Sequence, residues 1–199
     1  MNEELLQAYR QLHRKEGRFP GYTLSRYVDE IAALVAAAEP RTLLDWGCGK
    51  GWQYSKRRLH DAWGGILPEL YDPGVAAHST RPRRKFDGVI TTDVLEHIEA
   101  ADVPEALAEL IGYLGPRDDG GKNMLFASIA CRPSKKNPLP DGRNAHVTIM
   151  APEWWIRTVM DAAVRGFHRR NPLMLRLAFD VGETYPDSLT RYCYEIPCT

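Results

Sequence analysis

The chain has 199 residues, 44% hydrophobic and 26% charged, which excludes a fibrous or wholly disordered protein and suffices for the core of one domain. Its 26 Lys+Arg balance 26 Asp+Glu for a net charge of +0, so no overall field draws it to nucleic acid or to an anionic membrane. Four cysteines, Cys48, Cys131, Cys193 and Cys198, stand at no metal-like spacing and read as reduced thiols of a cytoplasmic protein. The first 17 residues, MNEELLQAYRQLHRKEG, lack an apolar signal segment. The longest apolar stretch, 31–38, is far short of the ~20 residues that cross a bilayer.

Taken in chain order, residues 2–16 have helical composition, and Phe19-Pro20-Gly21 ends that helix. Ser25 precedes a second helix, about 27–38, with Val28, Ile31, Leu34 and Val35 on one face. Thr42-Leu43-Leu44 reads as a short buried strand that runs into glycines, followed by a basic helix over 54–60. Strands are expected at 66–71, 86–92 and 124–130, with a helix at 105–114 after Pro104. A Pro-, Lys- and Asn-rich loop covers 132–145, and Pro152 opens a helix to about 164. Two final strands, 173–179 and 191–196, form a hairpin. Alternation of strand and helix over 40–165 implies a doubly wound parallel sheet, with its site at the strands' C-terminal edge.

The sharpest pattern is LLDWGCGKGWQY, in which Asp45, Gly47, Gly49 and Gly51 alternate directly after a strand. Glycines there let the backbone turn tightly and approach a ligand closely. A dinucleotide loop would need glycine where Trp52 stands, and the spacing of a phosphate-binding P-loop is also missing. The pattern D-x-G-x-G-x-G resembles motif I of class I S-adenosylmethionine-dependent methyltransferases, and the likeness extends over about residues 25–199. It implies S-adenosylmethionine as cofactor, held around Asp45, Gly47, Cys48, Gly49 and Gly51. Tyr71-Asp72-Pro73 at the next strand end matches the position where the family places an acid on the cofactor ribose; a carboxylate can accept from both hydroxyls. The same Asp-Pro-Gly is also a good turn. FDGVITTDVLEHIE resembles the family's fourth motif, which brings Thr92, Asp93 and Val94 to the cofactor and Glu96 and His97 towards the acceptor. Asp93 could equally cap the following turn. The family's third strand is short or missing, because only 73–85 intervenes, and RPRRK at 81–85 has no strand pattern.

The loop after the fourth strand carries Arg132, Lys135, Lys136, Asp141, Arg143, Asn144 and His146. The stretch from His146 to Pro152-Glu153 resembles one in methyltransferases of small molecules. A neutral imidazole can take a proton from a hydroxyl, which makes His146 the first catalytic candidate, then His97 and Asp93; a histidine anchoring the loop to backbone is the structural alternative. Arg132, Arg143, Asn144 and Glu96 are the candidate acceptor contacts. The histidines are dispersed in sequence and no metal site is expected, although some methyltransferases use Mg²⁺ with acidic ligands, for which the resemblance offers Asp93 and Asp141. Trp154 and Trp155 are adjacent on a helix and cannot both face inward.

The sequence thus describes one methyltransferase domain, 1–199. Helices fill 1–39, and a Rossmann-like core of seven-stranded type with a C-terminal antiparallel hairpin fills 40–199. The expected partner is a small polar acceptor, methylated on oxygen or nitrogen, with no nucleic acid or membrane and no signal for an oligomeric state. Basic stretches at 81–85, 132–136 and 165–170 support a rival acceptor, nucleic acid or protein. The abbreviated 73–85 region supports a second rival, a catalytically idle partner subunit that only binds the cofactor.

Overall fold

The computed structural model describes residues 2–15, 18–135, 138–166, 171–182 and 189–197. Helix α1 spans Glu3–His13, α2 Val28–Ala38, α3 Trp52–Ser55, α4 Val103–Gly112 and α5 Pro152–Gly166. The strands are β1 Leu43–Trp46, β2 Glu69–Tyr71, β3 Gly88–Thr92, β4 Asn123–Ala130, β5 Leu173–Asp180 and β6 Leu189–Ile196. They form a six-stranded sheet in the order β2-β1-β3-β4-β5-β6. All neighbours are parallel except the terminal β5–β6 pair. The fold is therefore the mostly parallel methyltransferase-like sheet with one strand fewer than the seven-stranded type. Residues 73–85 hold only a short 3-10 turn, Ala76–His78, so β2 is the sheet edge.

Period-two alternation decides which side chain faces which layer. From β4, Leu125, Ala127 and Ile129 pack with α4 and α5, while Met124 and Phe126 pack with Tyr27, Ile31 and Leu34 beside and within α2. Both faces of β4 are covered, which is why it reads as an unbroken buried run. Trp155 is fully buried in the α4–α5 layer and its neighbour Trp154 only partly, the division their adjacency demands. Helix α1 joins neither layer. Its Leu5, Tyr9 and Leu12 pack with Leu139 and Ala145 of the loop after β4, in a third small core above the sheet's C-terminal edge.

One local expectation is corrected. The basic helix over 54–60 is one turn, α3, followed by a 3-10 turn at Leu59–Trp63. Between them Arg58 takes a left-handed backbone, φ 51°, and its guanidinium turns to Asp61 at 2.8 Å. Leu59 and Trp63 gain burial by reversing towards α2. Ser25, ahead of α2, lies inside a 3-10 turn, Tyr22–Tyr27, and its hydroxyl donates to the Tyr22 carbonyl. Lys136, Phe167, Arg169, Arg170 and Cys198 lie outside the described residues. No helix among the described residues is long and apolar enough to cross a membrane.

Candidate functional site

The C-terminal ends of β1, β2, β3 and β4 open into one cavity of about 290 Å³. Its sheet side is largely backbone. Gly47 and Gly49 both have positive φ, 84° and 59°. A Cβ on Gly47 would lie 2.3 Å from a Val94 methyl, and one on Gly49 would lie 2.5 Å from the Phe19 carbonyl oxygen. The amides of Gly47 and Cys48 donate to the Tyr71 carbonyl, tying the β1 and β2 ends together. Asp72 completes this cradle: one oxygen accepts from the Gly49 N–H at 2.9 Å and the other from the Gly74 N–H at 2.8 Å. Each carboxylate oxygen has a second lone pair, so the same group can still accept from a ligand.

Asp45 stands behind the cradle, fully buried, and does not line the cavity. One of its oxygens accepts from Gln53 Nε2 at 3.0 Å and Tyr54 OH at 2.8 Å. The other has no partner. Burial pushes its pKa up to about 6, against the pull of those two bonds.

The opposite wall is side chains. Leu6, Tyr9 and His13 of α1, with Phe19 to Thr23 after it, close over the cavity. Tyr9 OH donates to the Ala145 carbonyl at 2.6 Å, across 136 residues of chain. His13 lies 4.0 Å from Asp72, with its ring 4.6 Å from that of Phe19. Desolvation lowers its pKa and the charge of Asp72 opposes that shift.

His97 and His146 line the remaining end, ring centroids 5.0 Å apart and nearly perpendicular. The two histidines are dispersed in sequence but not in the fold: 49 residues of separation vanish where the turn after β3 meets the loop after β4. His97 Nδ1 is 2.7 Å from the Ala145 carbonyl and His146 Nδ1 is 2.6 Å from the Arg132 carbonyl. A carbonyl can only accept, so both Nδ1 atoms carry hydrogen and both Nε2 lone pairs are available. Desolvation lowers both pKa values, that of His97 to about 3, so both rings are neutral at pH 7. Asp93 sits between the cradle and this pair in a left-handed conformation, φ 53°. It is held by Ser128, whose Oγ donates to its carboxylate at 2.8 Å. Desolvation raises the Asp93 pKa.

Of the residues singled out in sequence, Gly47, Gly49, Asp72, Pro73, Thr92, Asp93, Val94, His97 and His146 share this cavity. Asp45, Cys48, Gly51 and Tyr71 support it from behind. Glu96 is fully buried behind the histidines. Arg132 is engaged by Asp180 in a two-pronged pair, 2.7 and 3.1 Å. Asn144 is spent on the backbone of Ser134 and His146. Arg143 pairs with Asp141 and faces a shallow depression outside the cavity. Tyr9, His13, Phe19, Trp46 and Ser134 line the cavity without a sequence signal; only the buried spacing of Leu5, Tyr9 and Leu12 marked α1 as docked on something.

Comparison with known proteins agrees with this architecture. Residues 15–171 match the model of a methyltransferase domain family. In fold, the chain is similar to an O-methyltransferase family protein from Burkholderia thailandensis, with a TM-score of 0.52 and 15% identity over 88% of this chain. The chain spans 56% of that protein. A stretch of the chain is 31% identical to the macrolide export ATP-binding/permease protein MacB of Neisseria gonorrhoeae, over 44% of this chain and only 15% of that protein. That partial likeness defines no family. The chain belongs to the methyltransferase domain family.

Proposed function

We propose that the cavity binds S-adenosylmethionine on its glycine-lined side and a small polar acceptor at the His97–His146 end, for methylation of a hydroxyl or amine. The observation that carries the reading is the pairing, in one cavity, of a backbone cradle that tolerates no Cβ with two imidazole lone pairs. Gly47 and Gly49 would give the cofactor room against the main chain. Asp72 would accept from its ribose hydroxyls, and the unpartnered Asp45 oxygen leaves acceptor capacity behind the loop. When bound, S-adenosylmethionine supplies a methyl group already activated on a sulfonium.

What the protein adds is position and exclusion of water. Helix α1 covers the cavity. His97 and His146 meet the acceptor's polar group and act on its proton directly or through a bound ion, as taken up below. A small acceptor is favoured because the cavity is narrow and roofed. The basic stretches lend nucleic acid little support: Arg81 and Arg84 are paired with Glu109 and Glu69, and Arg132 with Asp180.

Calorimetry with S-adenosylmethionine, its demethylated product and NAD tests the reading. Heat of binding is expected with the first two. Binding of NAD alone would overturn it.

A further inference from the structure

Glu96, His97 and His146 each bring one metal-competent atom to within 4.8 Å of the other two. They come from two segments that fold together only in the tertiary structure. Three features distinguish this group from three polar neighbours met by chance. First, each histidine gives its Nδ1–H to a main-chain carbonyl, the outer contact that ordinarily orients an imidazole for coordination through Nε2. The tautomer is thereby fixed, and Tyr9 OH buttresses the Ala145 carbonyl that fixes His97. Second, both histidines line the cavity, where an ion can reach them. Third, Glu96 has no solvent exposure; one oxygen accepts from the Ala130 N–H at 3.0 Å and the other has no partner. A buried carboxylate oxygen without a donor is costly. A cation resolves that cost and keeps the group ionised.

We infer that Glu96, His97 and His146 bind a divalent transition-metal ion at the acceptor end of the cavity. Two imidazoles and a carboxylate suit zinc and its first-row neighbours better than calcium or magnesium, which favour all-oxygen shells. Ligands of a tetrahedral zinc ion at ~2.0–2.2 Å sit roughly 3.4 Å apart, so side-chain rotation of about an ångström closes the group around the ion. Three protein ligands leave a coordination position, and because both histidines line the cavity, that position faces the acceptor. Asp93, in the same wall, adds a second negative charge nearby. The inference rests on the proposed methyl-transfer reading and sharpens it. The acceptor atom is a hydroxyl oxygen, whose acidity the ion would raise, and His146 acts as a ligand rather than as the base.

The full chain, stripped with a chelator and dialysed, is titrated with Zn²⁺ and separately with Co²⁺. The readouts are bound metal by elemental analysis and the visible absorption of Co²⁺. About one ion per chain is expected, with cobalt bands of a nitrogen-containing shell. Glu96→Gln and His146→Ala should each weaken affinity at least ~10-fold, the lower end of what even an outer-shell change costs. His146 is only partly buried, so its variant tests the site even where the fully buried Glu96 change fails to fold. A folded wild-type chain that retains no stoichiometric ion, or a His146→Ala chain that binds as tightly as wild type, would overturn the inference. S-adenosylmethionine calorimetry on the metal-free chain separates the two readings: cofactor binding without any metal binding removes the ion and leaves methyl transfer standing.

Discussion

The cavity's two walls are made of different material. On the sheet side, Gly47, Gly49 and residues 72–74 line the cavity, held by amide-to-carboxylate bonds at Asp72 and by glycines with no room for a side chain. On the other side, α1, the turn after β3 and the loop after β4 present side chains: Tyr9, His13, Phe19, His97 and His146. In the proposed reading the backbone wall meets what every reaction of the family shares, the donor. The side-chain wall, which can be changed one residue at a time, would then be where an acceptor is chosen. Substitutions in the two walls should therefore separate, one set in donor affinity and the other in turnover.

The largest effect is expected at His146. Whether it orients an ion or takes a proton, its Nε2 acts at the acceptor and not at the donor. His146→Asn should lower turnover at least ~10²-fold, the lower end of what acid–base assistance contributes, with cofactor affinity nearly intact. Steady-state kinetics beside calorimetry reads both quantities. A His146→Asn chain that loses cofactor binding instead would dissolve the division between the walls.

Asp72 is the converse case. Asp72→Ala should weaken cofactor binding by ~1.5–3 kcal/mol, the range for hydrogen bonds to charged groups. Because Asp72 also holds the Gly49 and Gly74 amides, the ligand-free protein should melt lower as well. Unchanged affinity with a lowered melting temperature would confine Asp72 to the turn.

This contrast also accounts for what could be read in advance. The donor wall is local in sequence. D-x-G-x-G-x-G and Tyr71-Asp72-Pro73 each encode a turn within a few residues, and the strands that place them, 43–46 and 69–71, sit near their expected positions. The acceptor wall is long-range. Tyr9 meets Ala145 and His97 meets His146 only after the chain has folded, and no periodicity in 2–16 says which surface α1 will cover. The break at Arg58 was hidden for a related reason. Helical composition favoured continuation, but the bonds of Gln53 and Tyr54 to Asp45 and the burial of Trp63 outweighed it.

Asp45 gives a test that involves no acceptor. An acid that titrates near ~3.9 unfolded and at about 6 folded binds more protons in the folded state between those values. Its contribution to stability therefore falls as pH rises through that window and is least favourable above it. Asp45→Asn removes the titration and supplies an amide to the side that has no partner. The variant should be more stable than wild type at pH 7.5 by ~1–2 kcal/mol. That is less than the full linkage of a two-unit shift, because the bonds from Tyr54 and Gln53 to a neutral amide are weaker. The gap should close as pH falls to about 4. A gap that is constant with pH, measured by thermal melts of the ligand-free chain, would mean that Asp45 is ionised at little cost.

Tyr9→Phe is the smallest change and isolates the roof. The substitution keeps the ring among Leu5, Leu12 and Leu139 and removes only the hydroxyl. The Ala145 carbonyl then loses the 2.6 Å bond from Tyr9 but keeps the one from His97, so no buried acceptor is orphaned. A stability loss of ~0.5–1.5 kcal/mol follows, the net worth of one ordinary hydrogen bond. Functionally, the loop that carries Ala145 and His146 is left with one tether fewer to α1, while the glycine wall is untouched. Turnover should drop a few-fold, ~0.5–1 kcal/mol in barrier, and cofactor affinity should stay within error. If donor affinity falls as far as turnover does, α1 closes over the donor as much as over the acceptor, and the roof serves both halves of the cavity.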